Sequence, residues 1–237
     1  MGTQINKPAK ALRAAFPYTL PIFAGFWFLG LTYGVYMNAA GFSFVYPTVM
    51  ALLIFGGSLE FVAVGMLLSP FAPLTALVVS LAVQARHLFY GISMLDRFRG
   101  TGWAKPYLIF GMCDETFSIL CTTEPPEGAD RRWFMFFVTA LDHFYWVSGS
   151  MLGGLFGSLV SIGTEGLSFV MTALFVVIFL NQWDQEEHHW TALIGALAAV
   201  VCLAVFGADG FMLPALAITV AALTALRKPL EPAVGLS

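Results

Sequence analysis

Residues 106–121 read PYLIFGMCDETFSILC, apolar at both ends with Asp114 and Glu115 side by side near the middle. A continuous membrane helix needs about 20 predominantly apolar residues. This stretch has 16 and carries two acids, so it is too short and too polar for a comfortable span. Broken or re-entrant helices are tolerated at bilayer depth where they line a cavity or lie within protein. The expectation is an element that enters and leaves on the same side.

The rest of the chain supplies the membrane context. Of its 237 residues, 59% are hydrophobic and 11% charged. The mean hydropathy of +0.81 lies well above that of soluble domains. Apolar stretches fall at 16–38, 43–69, 71–95, 106–121, 131–160, 166–182, 189–206 and 209–226. Between them stand turn-forming groups at Asn38–Gly41, Ser69–Pro73, Glu124–Gly128 and Gly207–Gly210. Lys7, Lys10 and Arg13 precede an apolar run too long for a signal peptide, so this end reads as a first span anchored in the cytoplasm.

Positive charge decides the count. Basic clusters lie at the N-terminus, at Arg97, Arg99 and Lys105, at Arg131-Arg132 and at Arg227-Lys228. The positive-inside bias wants all four in the cytoplasm. Eight alternating spans would put the Arg97–Lys105 loop outside. The conflict disappears if 43–95 makes one net crossing and 106–121 makes none. The expected fold is therefore an all-α integral membrane protein with six net transmembrane crossings plus two interrupted or re-entrant helices. Seven or eight continuous spans are the alternative. The expected layout is a cytoplasmic segment 1–15, one transmembrane domain 16–226 and a cytoplasmic tail 227–237, with both termini in the cytoplasm. The two suspect elements share a phrase, F-G-x-x-x-E, at Phe55–Glu60 and Phe110–Glu115. Matched glycine-interrupted segments are a pointer to a transporter's binding site, so the phrase reads either as a weak internal repeat or as a coincidence of abundant Phe and Gly.

Ionisable residues inside apolar stretches are costly and point to a pathway. Glu60 follows Gly56-Gly57-Ser58, a group suited to breaking a helix and restarting it with Ser58 as cap. The alternative is a glycine pair that packs helices beside a neutral acid. Gln84, Arg86 and His87 form a polar knot. Arg86 either snorkels to the interface, pairs with an internal acid, or clamps a carboxylate with its planar fork. Asp114 reads as a helix cap with Glu115 in the first turn. Asp142 shares a helix face with Trp146 and Gly149, so it should face protein, and the neighbouring His143 could relay protons. An interhelical hydrogen bond is the plainer reading of both. Gly149, Gly153 and Gly157 repeat every four residues, as do Ser150, Gly154 and Ser158, which allows close helix packing.

Other classes lack their signals. There is no basic footprint for nucleic acid and no H-E-x-x-H, G-x-S-x-G or P-loop, so the chain does not read as an enzyme. Cys113, Cys121 and Cys202 make no C-x-x-C pair. Asp184–His189 lies between spans and has no fixed ligand spacing, so it reads as a solvated loop. No metal and no cofactor is expected.

Several phrases together resemble the AzlC family, the large subunit of bacterial branched-chain amino acid exporters. They are Gly56-Gly57-Ser58, Arg86-His87-Leu88-Phe89-Tyr90, Asp114-Glu115-Thr116-Phe117 and the Tyr145–Gly157 helix, in order across about residues 15–225. The resemblance implies a multi-pass protein of the bacterial cytoplasmic membrane. It would export leucine-, isoleucine-, valine- or methionine-like amino acids with a small hydrophobic AzlD-type partner subunit. Two places depart from the pattern. Gln84-Ala85 stands where an Asn is expected before Arg-His, and Leu59-Glu60 where a small or amide residue is expected after Gly-Ser. An acid at position 60 bears on substrate or coupling.

The leading expectation is a secondary transporter: with no nucleotide site, transport would be driven by an ion gradient, the reading preferred, or by the substrate's own gradient. A zwitterionic substrate needs a carboxylate partner, an ammonium partner and an apolar pocket. Helix N-termini or Arg86 could supply the first, and Glu60, Asp114 or Glu115 the second. The rivals are a passive channel or a carrier of another small solute, and an assembly subunit with no pathway of its own.

Overall fold

A computed structural model describes residues 7–159, 189–207 and 211–226, with isolated positions at 176, 179, 180 and 183. The described residues are helical, without a strand. The chain divides into two compact units, Met1–Leu167 and Ser168–Ser237. Most of the expected 166–182 span, most of Asp184–His189 and the basic C-terminal tail lie outside the described residues.

The first unit starts with α1, Lys7–Ala39. Its 33 residues extend about 50 Å, longer than a bilayer's apolar core. Lys7, Lys10 and Arg13 can therefore sit beyond the apolar part. Pro17 and Pro21 lie inside the helix, which membrane helices tolerate where neighbours satisfy the freed carbonyls. Between the two prolines, Thr19 donates to the Phe16 carbonyl at 3.2 Å.

Next come α2, Val45–Leu53, and α3, Gly57–Leu68, separated by a break at 54–56. At this break Phe55 has φ +46°, a left-handed conformation that costs a bulky residue about 1–2 kcal/mol. The helix α4, Pro73–Ser93, starts on a proline after the expected Ser69–Pro73 turn. A short 3₁₀ turn at Gly102–Ala104 leads into α5, Lys105–Phe110. A second break at 111–113 precedes α6, Asp114–Thr122. Asp130 then caps α7, Arg131–Phe156, accepting from the Trp133 N–H at 3.2 Å.

Contacts fix the directions of these elements. Helices α1 and α7 are parallel: Tyr18 meets Phe134, Thr19 meets Tyr145, Gly30 meets Gly149 and Asn38 meets Gly154. Their common N-terminal end buries Ala15, Phe98, Leu108, Leu120 and Phe134 in one cluster. Helix α2 starts at the opposite end, where Phe44 lies against Gly154, and descends until Ala51 reaches His143. Helix α3 turns back, since Glu60 meets Trp146 and Phe61 packs on Tyr33 and Tyr36. Helix α4 then runs the whole way down, from Pro73 past Gln84 at the first break to Met94 in the basal cluster.

The second broken element mirrors the first. Helix α5 rises from the basal cluster to Phe110, whose ring is 5.7 Å from His143. Helix α6 returns alongside α4: Asp114 meets Arg86, Phe117 stacks on Tyr90, and the Thr123 carbonyl accepts from Arg97. Arg131 in turn donates to the Arg97 carbonyl at 2.7 Å. The chain before α5 and the chain after α6 are thus joined at one end, which is the hairpin geometry expected of 106–121. The two hairpins enter from opposite ends, and their tips meet with the Phe55 and Phe110 rings 6.5 Å apart.

Among the described residues, α1 and α4 are long and apolar enough to cross a membrane. Helix α4 has no fully buried residue and leaves Leu74, Leu77, Leu81, Phe89 and Ile92 more than half exposed, which suits lipid, protein or an apolar cavity rather than water.

In the second unit, α8, Trp190–Phe206, and α9, Met212–Ala225, pack together. A β-carbon added at Gly195 would lie 3.8 Å from the Thr219 methyl.

Candidate functional site

The central turn of α7 places Asp142, His143 and Trp146 at the level of both hairpin tips. Asp142 and Trp146 are one turn apart, so they share a face, about 6 Å apart along the axis. Each contacts a different hairpin.

At the first tip, Glu60 is fully buried. Its Oε1 accepts from the Gly56 N–H at 3.0 Å and from the Trp146 indole N–H at 2.9 Å. The Gly56 carbonyl accepts from Gln84 Nε2 at 2.8 Å. A β-carbon on Gly56 would run into the Gln84 amide, so the glycine admits the α4 side chain to the backbone. Gly57 opens α3, facing the Trp146 ring. The helix is capped by Gly56, and Ser58 lies within its first turn, not at the cap expected from the sequence. Glu60 reaches back to the N–H that a capping serine leaves free, so the acid takes over part of the cap's work. Its other oxygen, Oε2, has no hydrogen-bond partner among the described residues, and neither does Gln84 Oε1.

At the second tip the chemistry differs. The capping position belongs to Cys113, and Asp114 is the first helical residue, which corrects the cap expected at Asp114. Asp114 Oδ2 pairs with Arg86 Nη1 at 3.0 Å, which selects pairing with an internal acid among the readings of Arg86. Asp142 is fully buried and accepts from the Thr116 hydroxyl at 2.9 Å. Thr116 and Cys113 Sγ are 3.1 Å apart. Since the single Thr116 proton goes to the carboxylate, the cysteine S–H must be the donor to Thr116. Asp142 Oδ1 has no partner among the described residues. Glu115, the phrase's counterpart of Glu60, lies half-buried in the first turn of α6.

His143 joins the two hairpins. Its Nε2 lies 3.3 Å from the Ala51 carbonyl on α2, and its Nδ1 lies 3.0 Å from the Tyr107 hydroxyl on α5. A carbonyl only accepts, so Nε2 carries the proton and, in the neutral ring, Nδ1 accepts from Tyr107. His87 stands apart, edge-on to Tyr90 on the wall of a cavity of about 530 Å³. That cavity is bounded by α4 and by residues of both breaks, among them Phe55, Phe110 and Met112.

The expected glycine ridge is built, and it forms a seam with α1. A β-carbon at Gly149 would meet the Trp27 carbonyl at 2.8 Å, at Gly153 the Leu31 backbone, and at Gly157 the Asn38 side chain at 2.7 Å. The partners Gly30 and Gly34 on α1 are equally confined by the α7 backbone. Their G-x-x-x-G spacing is a signal of this seam in the sequence. Thr116, Tyr107 and Trp146 were missed as site residues. Their signal was positional: Trp146 stands four after Asp142, and Tyr107 three before the Phe110-Gly111 break.

Comparison with known proteins places this arrangement. The sequence profile described as AzlC protein matches residues 21–160, more than half the chain. The branched-chain amino acid transport protein AzlC of Bacillus subtilis is 56% identical over 236 residues, 98% of this chain and 93% of that protein. An uncharacterized membrane protein of Haemophilus influenzae is 45% identical, covering 89% of this chain and 87% of its own. The Escherichia coli inner membrane protein YgaZ is 26% identical over 79% of this chain and 80% of its own. No solved structure matches. This is a membrane protein, and it belongs to the AzlC family.

Proposed function

We propose that this member of the AzlC family is a secondary transporter. It exports branched-chain or similar apolar amino acids across the bacterial cytoplasmic membrane, coupled to an ion gradient. It performs no covalent chemistry and works with a small hydrophobic AzlD-type subunit. The name of the B. subtilis relative supports the transport role and substrate class. The gathering of Arg97, Arg131 and the N-terminal lysines toward one end supports a cytoplasmic N-terminus. Six net crossings then bring the C-terminus to the same side.

One observation carries the reading: two broken hairpins enter from opposite ends and meet beside a cavity, where Glu60 of the first hairpin and Asp142 of α7, which holds the second, are buried and each keep an oxygen unbonded among the described residues. Oppositely inserted, discontinuous helices around a midplane site are how secondary transporters expose one site to each side in turn. In this scheme α2–α3 and α5–α6 close the path from opposite faces. Glu60 and Asp142 offer oxygens to an ammonium group or a proton. Arg86, with four N–H donors beyond its bond to Asp114, meets the substrate carboxylate.

Glu60 also favours a second reading, because its bond to Gly56 caps its own helix. A subunit that only assembles with a partner would use the acid in that way. Counterflow of labelled leucine in proteoliposomes, with and without the small partner, separates the two. Accelerated exchange that responds to an imposed pH gradient supports coupled transport. Exchange indifferent to the gradient supports a passive path, and none with either preparation overturns the proposal.

A further inference from the structure

The cavity between the hairpin tips and α4 has one wall position with no side chain. At about 530 Å³ it lies within the range of small-molecule sites. Its α4 wall runs from Leu77 to Ile92, with Ser80, Gln84 and His87 as its polar members among apolar residues. Gly91 stands one helical turn beyond His87 on the same wall. A β-carbon there would meet nothing within 4 Å. The glycines of the α1–α7 seam and Gly56 are different, since each is confined by a neighbour. A glycine inside a helix weakens it relative to alanine. Neither close packing nor a left-handed backbone requires one at position 91. What Gly91 provides is room in a cavity that Phe110 and Met112 also line.

We infer that the apolar side chain of the transported amino acid lies in this cavity against Gly91, which sets the largest side chain accepted. This rests on the transport reading above. The polar middle of the wall belongs to the substrate's charged end. Gln84 holds the first break through Gly56, behind which Glu60 lies. The adjoining apolar turn then receives the side chain, and its volume grades the substrates.

The test is competition by alanine, valine, leucine and methionine against labelled-substrate counterflow in proteoliposomes, for wild type, Gly91→Ala, Gly91→Leu and Leu81→Ala. Gly65→Leu is the control, since Gly65 on α3 also has open space around it and lies outside the cavity. Gly91→Leu should lower the preference for leucine over alanine roughly tenfold or more, the scale at which a pocket senses a few methylenes. Gly91→Ala should shift it in the same direction by less, and Leu81→Ala should favour methionine. Melting temperature and the Gly65→Leu ranking should match wild type. If the folded Gly91 variants keep the wild-type ranking within about twofold, the cavity faces lipid or the partner subunit and the inference fails alone. Should Gly91→Leu not fold, the opposite shifts of Gly91→Ala and Leu81→Ala decide. Wild type that exchanges no apolar amino acid removes the transport reading and this inference with it.

Discussion

Two successive parts of α7 do different work. From Gly149 to Gly153 the helix touches α1 backbone to backbone, with glycines on both sides and no space for a β-carbon. From Asp142 to Trp146 it touches its neighbours through polar side chains, each holding a broken hairpin by one or two hydrogen bonds. Packed backbones have no alternative arrangement of similar energy. A side-chain hydrogen bond can be exchanged for another at modest cost. The seam should therefore act as a frame, and the central turn as the place where hairpins let go and rebind.

The sharpest way to break this contrast is Gly153→Leu against Gly25→Leu. An added side chain at 153 meets the Leu31 backbone, whereas one at 25 meets nothing within 4 Å. Overpacking a seam costs about 1–3 kcal/mol and more where backbone must move, so Gly153→Leu should lose most of its folded yield. Gly25→Leu should melt like wild type. Equal melting temperatures in detergent would refute the frame.

Glu60→Gln probes the central turn with little change of shape. The amide oxygen can still accept from Gly56 and Trp146, while the oxygen that had no partner becomes an NH₂. Folded yield should stay near wild type, and if the acid takes part in transport, the transport rate should fall roughly tenfold or more, or lose any pH dependence. Wild-type rate and pH profile would mean that the acid only caps α3. Glu115→Gln sharpens the comparison between the hairpins. Its residue is less buried and carries less of the arrangement, so its effect should be smaller.

Arg86→Lys keeps the charge and loses the planar fork. A lysine can still pair with Asp114, so stability should hold while transport weakens by up to about tenfold. An unchanged rate would assign Arg86 to the ion pair alone. The smallest effect is expected from Trp146→Phe. Glu60 loses one of its two donors while keeping Gly56, for about 1–3 kcal/mol. The measure is a modest drop in melting temperature with the Gly149–Gly157 seam still protected from hydrogen exchange.

Much of this was open to reading from the chain alone. The run from Pro106 to Cys121, short and acidic for a continuous span, pointed to an interrupted helix, and the structure breaks it at 111–113. The four-residue glycine spacing implied a seam for a similar reason: only the absence of side chains lets two helix backbones touch. The phrase shared by Phe55–Glu60 and Phe110–Glu115 marked both breaks. The tertiary structure decided which group serves which. Ser58 and Asp114 were read as caps from their residue types, but capping depends on the local φ/ψ path, which placed Gly56 and Cys113 at those positions. Periodicity put Asp142, Trp146 and Gly149 on one face, yet it could not say that Trp146 would meet Glu60, 86 residues earlier in the chain. Nor could it say that the hairpins enter from opposite ends. Such pairings depend on long-range packing, where a residue's partner is chosen by the directions of several helices at once and leaves no local pattern.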